Sequence, residues 1–243
     1  MYNENSEYLD FLRRKDVVLS TEARMTRAEW EEPVLNPDLD WSAIYTTYLK
    51  DNLVVVDNYL LDTCAARLRD FVLFCNKKED FYLDYAAINF YKDLPGRIWF
   101  NLLTEIVEQT KHKFELLRDL NFIRGWAFIY DNSSQGVNIH ADDASINLNY
   151  WVTPNDSLYL KDGYNGLDLW KVGPPKEWSY ISYNRSPDLC KKYLQEQGEE
   201  PISIPYNFNR LAIFNSMFFH KTQPVRAKPG YENRRINYTF LYR

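Results

Sequence analysis

The sequence predicts a mainly β protein of the α+β class: a jelly roll of two antiparallel sheets, with N-terminal helices packed on one sheet. Three observations support this fold. From residue 123 onward, about eight short β-like runs are separated by turn residues, and two helical patterns precede them. The chain also contains 19 Tyr, 14 Phe and 7 Trp but only 8 Gly. Large rings suit the half-buried faces of sheets and the wall of a cavity.

The composition indicates a globular protein of one sizeable domain or two small ones. The chain has 243 residues, of which 45% are hydrophobic and 26% charged. Its net charge of −5 includes no basic block, so we expect no nucleic-acid partner. A polar N-terminus and the lack of a long apolar run predict neither a signal peptide nor a membrane span. The dispersed Cys64, Cys75 and Cys190 argue against a disulfide framework. We therefore expect a reduced, cytoplasmic protein.

The N-terminal part is predicted to support the core rather than to carry chemistry. Residues 1–51 are expected to form an extension packed on the core, with Trp30 and Trp41 as anchors and a short helix over 21–32. The β-branched run 52–59 predicts the first strand of a single domain that spans the remainder of the chain, 52–243.

Two helices are predicted within a supporting region, 60–120. The first has a capping residue at Asp62 or Thr63 and apolar residues at helical spacing. The second is predicted over 98–120. His112 lies on its polar side, where we expect a solvated surface histidine.

The jelly-roll core is expected over 123–243. A long insertion, 176–200, interrupts it and contains a helical pattern from Pro187. Such insertions often cover a functional site as a lid. The alternative is a surface loop exposed to solvent, with no role at the site. The predicted strands are 126–130, 136–142, 145–152, 167–172, 202–206, 210–214, 218–223 and 235–242.

Two of the three histidines suggest a metal site. Residues two apart on a strand project to the same side, so we expect His140 and Asp142 to point together. His220, on a later predicted strand, can complete a set of three ligands. Two imidazoles and one carboxylate, with the other positions open, are the ligands typical of non-haem Fe(II) oxygenases. Taken alone, a His-x-Asp pair is a weak signal.

The neighbouring residues strengthen this interpretation. Tyr130 lies on the preceding predicted strand, residues 209–216 lead into His220, and the last strand carries the pattern Arg235-x-Asn237-x-Thr239-Phe240. With these features the chain resembles the 2-oxoglutarate/Fe(II)-dependent dioxygenase superfamily, most closely its prolyl-4-hydroxylase-like branch. The DNA-dealkylating branch has a similar ending. The resemblance extends over 52–242 and is strong only over 124–242.

The resemblance implies a fold, cofactors and a reaction class. The fold would be a double-stranded β-helix, which is a jelly roll of the cupin type. The cofactors would be Fe(II), 2-oxoglutarate and O₂, with ascorbate as a supporting reductant. The enzyme would couple decarboxylation of 2-oxoglutarate to succinate and CO₂ with oxidation of a substrate C–H bond. Hydroxylation is the expected outcome because Asp142 is present, and desaturation or ring chemistry would use the same parts.

The cosubstrate needs a cation as well as a metal. When 2-oxoglutarate chelates iron through its oxo acid, a remote carboxylate remains, and the planar fork of an arginine matches it at two points. Arg235 is the predicted anchor, and its neighbour Arg234 is the rival. Strand alternation places Asn237 and Thr239 on the face of Arg235.

Further side chains are weaker candidates. The Tyr130 hydroxyl could bind the remote carboxylate, and Tyr130 could equally be a core residue. Asn147 and Asn149 share a strand face with Trp151, which could line the site or face solvent. We also expect Asp168 and Trp170 to face the cavity.

One position departs from the family pattern. The usual Gly-Gly before the middle strand is Asn165-Gly166 here, a mild change because Asn tolerates the same left-handed turn.

The substrate is predicted only by class. We expect a small molecule resembling an amino acid or a peptide side chain, and favour a small polar molecule. Two alternatives remain: a non-oxygenase metal-dependent isomerase or hydrolase on a cupin barrel, which would not need Arg235, and a non-catalytic ligand-binding barrel.

Overall fold

The computed structural model of the chain describes residues 33–75, 81–82, 85–90 and 101–243. The predicted helix 21–32, Trp30 and the first residues of the predicted helix 98–120 lie outside these ranges. Within them, no helix has both the length and the apolar character needed to cross a bilayer.

The chain combines helices with antiparallel sheets. The helices are α1 (Trp41–Asp51), α2 (Asp62–Cys75), α3 (Asn101–Lys113), α4 (Tyr180–Asn184) and α5 (Pro187–Gln197). The strands are β1 (Leu53–Val56), β2 (Phe81–Tyr82), β3 (Tyr85–Phe90), β4 (Phe122–Tyr130), β5 (Ser133–Ser134), β6 (Ile146–Trp151), β7 (Leu167–Trp170), β8 (Ile202–Ile204), β9 (Arg210–Asn215), β10 (Phe219–Thr222), β11 (Val225–Arg226) and β12 (Ile236–Tyr242).

The strands form three sheets. A seven-stranded sheet has the order β1-β9-β6-β12-β4-β3-β2, a three-stranded sheet has the order β10-β7-β8, and β11 pairs with β5. Every pairing is antiparallel. The central strand β12 lies between β4 and β6, so its side chains are flanked on both sides.

The large sheet has one apolar face and one mixed face, as the alternation along β6 and β12 predicted. The apolar face packs against the helices, and the Tyr238 hydroxyl donates to the Leu68 carbonyl of α2 over 2.7 Å. This face includes Ile146, Leu148, Tyr150, Val152, Ile236, Tyr238 and Phe240. Asn147, Asn149, Trp151, Arg235, Asn237 and Thr239 belong to the opposite face, where a buried polar site can form.

Two local predictions were wrong. No strand spans 136–142; instead His140 makes an isolated bridge to His220. Helix α1 was not predicted, although Asp40 caps its first turn by accepting from the Ala43 amide over 3.0 Å. The helical pattern of this segment is weak in the sequence because Tyr48 is the only buried residue of the helix.

The insertion is packed against the core. Tyr183 of α4 and Cys190 and Leu194 of α5 are buried in a cluster with Trp170 and Phe219. The cluster joins the insertion to β7 and β10. Burial of these apolar side chains therefore stabilises the docked insertion.

Candidate metal centre

Backbone hydrogen bonds bring the three predicted ligands together. His140 and His220 exchange both amide bonds, over 3.0 Å and 2.8 Å, and the Asp142 amide donates to the Ser216 carbonyl over 3.0 Å. One potential ligand atom from each of His140, Asp142 and His220 lies within 4.8 Å of the others. The segment is not a strand, so the convergence depends on these pairings rather than on strand alternation.

The same contact orients both imidazoles. His140 Nδ1 lies 2.7 Å from the Asn138 carbonyl oxygen, and His220 Nδ1 lies 2.9 Å from the Phe218 carbonyl oxygen. Because a carbonyl only accepts, each Nδ1 carries a proton, so the neutral form of each imidazole presents the lone pair of Nε2. Neutral imidazoles held through the other ring nitrogen are the usual state of metal-binding histidines.

The distances and charges suit a divalent metal ion. Asp142 oxygens lie 3.8 Å from His140 Nε2 and 3.5 Å from His220 Nε2. Ligand atoms at about 2.1 Å from one metal lie about 3 Å apart, so a bound ion would draw these three side chains, now within 4.8 Å of one another, closer together. Burial, reinforced by His220, lowers the pKa of His140 to about 4. Burial would raise the pKa of Asp142, but attraction to the protonated forms of His140 and His220 outweighs burial and the pKa is lowered. A neutral His140 and an ionised Asp142 are the forms that bind a metal.

Two amides donate to the Asp142 carboxylate. Asn147 of β6 reaches Oδ2 over 3.0 Å, and Asn184 at the end of α4 reaches Oδ1 over 3.4 Å. Both carboxylate oxygens are therefore held from outside the group of three ligands.

Arg235 is a buried cation with an exposed fraction of 1%. Its Nε donates to the Asn165 carbonyl and one Nη to Asn237 Oδ1, both over 2.7 Å. No acidic side chain of the described residues forms an ion pair with it. Burial lowers its pKa, whereas Tyr130 and Tyr206 act in the opposite direction. Because burying an unpaired charge is costly, this environment suits an anionic ligand.

Tyr130 connects Arg235 with the strand that carries His220. The Arg235 guanidinium lies 5.0 Å from the centre of the Tyr130 ring, and the Tyr130 hydroxyl lies 3.3 Å from Thr222 Oγ1. Thr222 follows His220 by two residues on β10, so both face the same side, about 7 Å apart. Arg235 and the candidate metal ligands therefore face the same buried region between the sheets.

The other polar candidates form a chain along β12 and β6. Asn237 Nδ2 lies 3.5 Å and Asn149 Nδ2 3.3 Å from Thr239 Oγ1, while the Trp151 indole donates to Asn149 Oδ1 over 2.8 Å. Asn237, Thr239 and Asn149 are buried. Asn237 bonds Arg235 directly, and Thr239 and Asn149 are linked to it through this chain. None of the three contacts Asp142.

Several candidates lie elsewhere. Arg234 pairs with Asp131 over 3.2 Å. The expectation for Asp168 and Trp170 was wrong. His220 is paired with Leu169, whereas Asp168 bonds Lys221 over 3.2 Å and Trp170 packs with the insertion, on the other face.

Sequence reasoning missed two roles. Asn184 was not considered, because its contact with Asp142 depends on how the insertion docks. Asn165 has φ 66°, as expected for a left-handed turn, but its carbonyl also orients Arg235. A Cβ at Gly166 would lie 2.3 Å from the Ile204 carbonyl oxygen, so the next position requires glycine.

No family model and no curated protein matches this chain in sequence. Solved structures do match. A prolyl hydroxylase from Trichoplax adhaerens, in complex with a peptide fragment of the hypoxia inducible factor oxygen degradation domain, is 13% identical with a TM-score of 0.53. The match covers 83% of this chain and 88% of that one.

Two further solved structures match at similarly low sequence identity. The non-heme alpha ketoglutarate dependent epimerase SnoN from nogalamycin biosynthesis is 11% identical with a TM-score of 0.59, over 83% of this chain and 82% of that one. HygX from Streptomyces hygroscopicus, with nickel and 2-oxoglutarate bound, is 9% identical with a TM-score of 0.53, over 82% and 85%. At such low identity these matches show a shared fold.

Proposed function

We propose that this protein is an Fe(II)- and 2-oxoglutarate-dependent dioxygenase of the prolyl-4-hydroxylase-like branch. One observation carries the proposal. A His-Asp-His group able to hold a metal shares its interior with a buried arginine that has no acidic partner among the described residues. A metal and a separate cation are the two features that a 2-oxoacid with a remote carboxylate needs.

The residues divide the work between the two ends of the cosubstrate. His140, Asp142 and His220 would hold Fe(II), with both imidazoles oriented through Nδ1. Arg235 would bind the remote carboxylate, helped by the Tyr130 hydroxyl. When bound, iron and 2-oxoglutarate activate O₂ to oxidise a C–H bond, with release of succinate and CO₂.

The surrounding side chains would keep this site ordered and dry. Asn147 would hold the carboxylate ligand, while Asn237 and Thr239 would support the guanidinium. Water exclusion strengthens each of these charge contacts.

The architecture is proposed to be a double-stranded β-helix. The seven-stranded sheet and the three-stranded β10-β7-β8 sheet would form its two halves, with the site between them. We further propose that 52–243 forms one dioxygenase domain, with helical support over 60–120 and a core over 123–243. Residues 1–51 would form an extension packed on it.

The proposed substrate is a small, amino acid-like molecule or a peptide side chain that is hydroxylated at an unactivated C–H bond. Among the solved structures of this fold, one is in complex with a peptide fragment and another is an epimerase from nogalamycin biosynthesis. Both classes are therefore reasonable, and a screen for succinate release over amino acids and peptides would separate them.

The decisive experiment measures conversion of 2-oxoglutarate to succinate by protein supplied with Fe(II) and ascorbate. We expect turnover in the wild type and none in His220→Ala or Asp142→Ala. Equal binding of iron and 2-oxoglutarate by wild type and His220→Ala would contradict the proposal.

A second measurement separates the alternatives. Under anaerobic conditions the 2-oxoglutarate–Fe(II) chelate has a weak visible charge-transfer band, whose absence would favour a non-oxygenase metal enzyme or a non-catalytic barrel. Metal-dependent activity that persists in Arg235→Ala without 2-oxoglutarate would favour the metal-dependent isomerase or hydrolase.

A further inference from the structure

The insertion touches the metal centre through its backbone and through one side chain. The Ala141 amide donates to the Tyr183 carbonyl over 3.0 Å. The Asn184 side-chain amide returns a bond of 2.8 Å to the Ala141 carbonyl. Ala141 lies between the two proposed ligands His140 and Asp142. The end of α4 is therefore bonded directly to the ligand-bearing segment.

The same Asn184 amide also reaches the carboxylate ligand. Nδ2 carries two hydrogens, and the second contact is with Asp142 Oδ1 at 3.4 Å. Asn147 holds the other oxygen, Oδ2, from the sheet. One oxygen is thus held by the core and the other by the insertion, so neither amide alone determines how the carboxylate is turned.

A buried cluster of side chains packs beneath this contact. Tyr183, Cys190 and Leu194 are buried with Ala141 and Phe219, and the Cys190 thiol lies 3.5 Å and 3.6 Å from the Ser182 and Tyr183 carbonyl oxygens. A side chain on such a cluster is held in place by packing, which a positioning role requires.

We infer that Asn184 is a positioning residue for the carboxylate ligand, and that α4 and α5 form a fixed part of the metal centre. The inference rests on the proposed metal site but assigns a role that the reaction class does not imply. Asn184 would act by holding Asp142 in its ligating orientation, without touching substrate or cosubstrate.

The test uses Mn(II) as the probe and the full-length protein. Free Mn(II) is followed by electron paramagnetic resonance in wild type, Asn184→Ala and Asn184→Leu, where the leucine keeps most of the volume but has no donor. Loss of an outer contact to a metal ligand typically weakens metal affinity about 10- to 100-fold. We expect about tenfold weaker Mn(II) binding in both variants, and a shifted visible spectrum of the Co(II) form.

Cys190→Ala is the comparison variant. It weakens the packing beneath Asn184 but keeps the Asn184 amide and its contact to Asp142, so we expect a loss of Mn(II) affinity of at most about threefold, clearly smaller than in the Asn184 variants. The inference is overturned if Asn184→Ala binds Mn(II) within twofold of wild type. It is also overturned if Cys190→Ala loses as much affinity as the Asn184 variants.

The proposed function fails separately. Failure of the wild type to bind Mn(II) more tightly than His220→Ala would remove the metal site itself, and the role of Asn184 with it. Tight wild-type binding that is insensitive to Asn184 would remove only the positioning role.

Discussion

At the scale of single residues, the two histidines proposed as metal ligands are oriented by the same local contact. Each Nδ1 donates to the carbonyl oxygen of the residue two positions earlier, Asn138 or Phe218. The tautomer is therefore set within each segment, and only the two segments have to meet. A single β-bridge between His140 and His220 achieves this. The site consequently needs no regular strand at 136–142.

Arg235 and Arg234 provide a test with a built-in control. Arg235 has its guanidinium plane fixed by bonds to the Asn165 carbonyl and Asn237, whereas Arg234 pairs with Asp131. We expect Arg235→Lys to weaken 2-oxoglutarate binding at least about tenfold, because a lysine cannot present a planar fork. Arg234→Ala should bind it normally. Anaerobic titration of the charge-transfer band measures both, and the opposite ranking would make Arg234 the anchor.

Asn147 and Asn149 form a second matched pair on one face of β6. Of these two residues, Asn147 donates to Asp142, whereas Asn149 bonds Thr239 and Trp151. We expect Asn147→Ala to weaken Mn(II) binding about 10- to 100-fold, and Asn149→Ala to leave it within about threefold of wild type. Similar losses in the two variants would mean that general loosening of β6, rather than the bond to Asp142, is responsible.

At the scale of secondary-structure elements, the sequence predicted those whose apolar period is unambiguous. The cores of α2, β6, β9 and β12 agree with prediction because burial on one or both faces leaves a clear pattern of side chains. The predicted ends of the elements were less accurate. The helix predicted over 98–120 is α-helical only as far as Lys113. Short ribbons such as β5 with β11 leave almost no pattern and were missed.

The candidate site was predictable where it depends on residue type and strand alternation. Asn237 and Thr239 share a face by alternation along β12, and Arg235, directly before the strand, continues the pairing with Tyr130. Contacts made by docking were not predictable. Asn184 and Asp142 are far apart in sequence, and no local pattern indicates that an amide in an irregular insertion meets a carboxylate in a loop.

The behaviour of the insertion can be checked through Cys190, which is fully buried. Burial raises the pKa of its thiol to about 11, so the thiol stays largely protonated, and unreactive, at pH 8. We expect very slow alkylation of Cys190 by iodoacetamide in the native protein, followed by peptide mass spectrometry. The rate should be the same with and without 2-oxoglutarate. Fast labelling that 2-oxoglutarate suppresses would instead identify a lid that opens.

At the scale of the whole molecule, the proposed site joins parts of the chain that are distant in sequence. The loop at His140 and Asp142 is in no sheet, His220 is on β10 of the three-stranded sheet, and Arg235 directly precedes β12 of the seven-stranded sheet. In the unfolded chain these groups cannot bind one ion and one dicarboxylate together. Ligand binding should therefore stabilise the folded state as a whole rather than one element.

This linkage predicts a shift in the thermal unfolding of the intact protein. At a free Mn(II) concentration of about 100 times its dissociation constant, the free energy of unfolding should rise by about 2.7 kcal/mol. For a domain of this size, that corresponds to an increase in Tm of roughly 5–10 °C. 2-Oxoglutarate should raise it further only when the metal is present, because the oxo acid needs the metal and Arg235 together. His220→Ala should show neither shift in the same calorimetric scans. A rise with 2-oxoglutarate alone that equals the rise with both ligands would mean that the acid binds without the metal, which the proposed chelate does not allow.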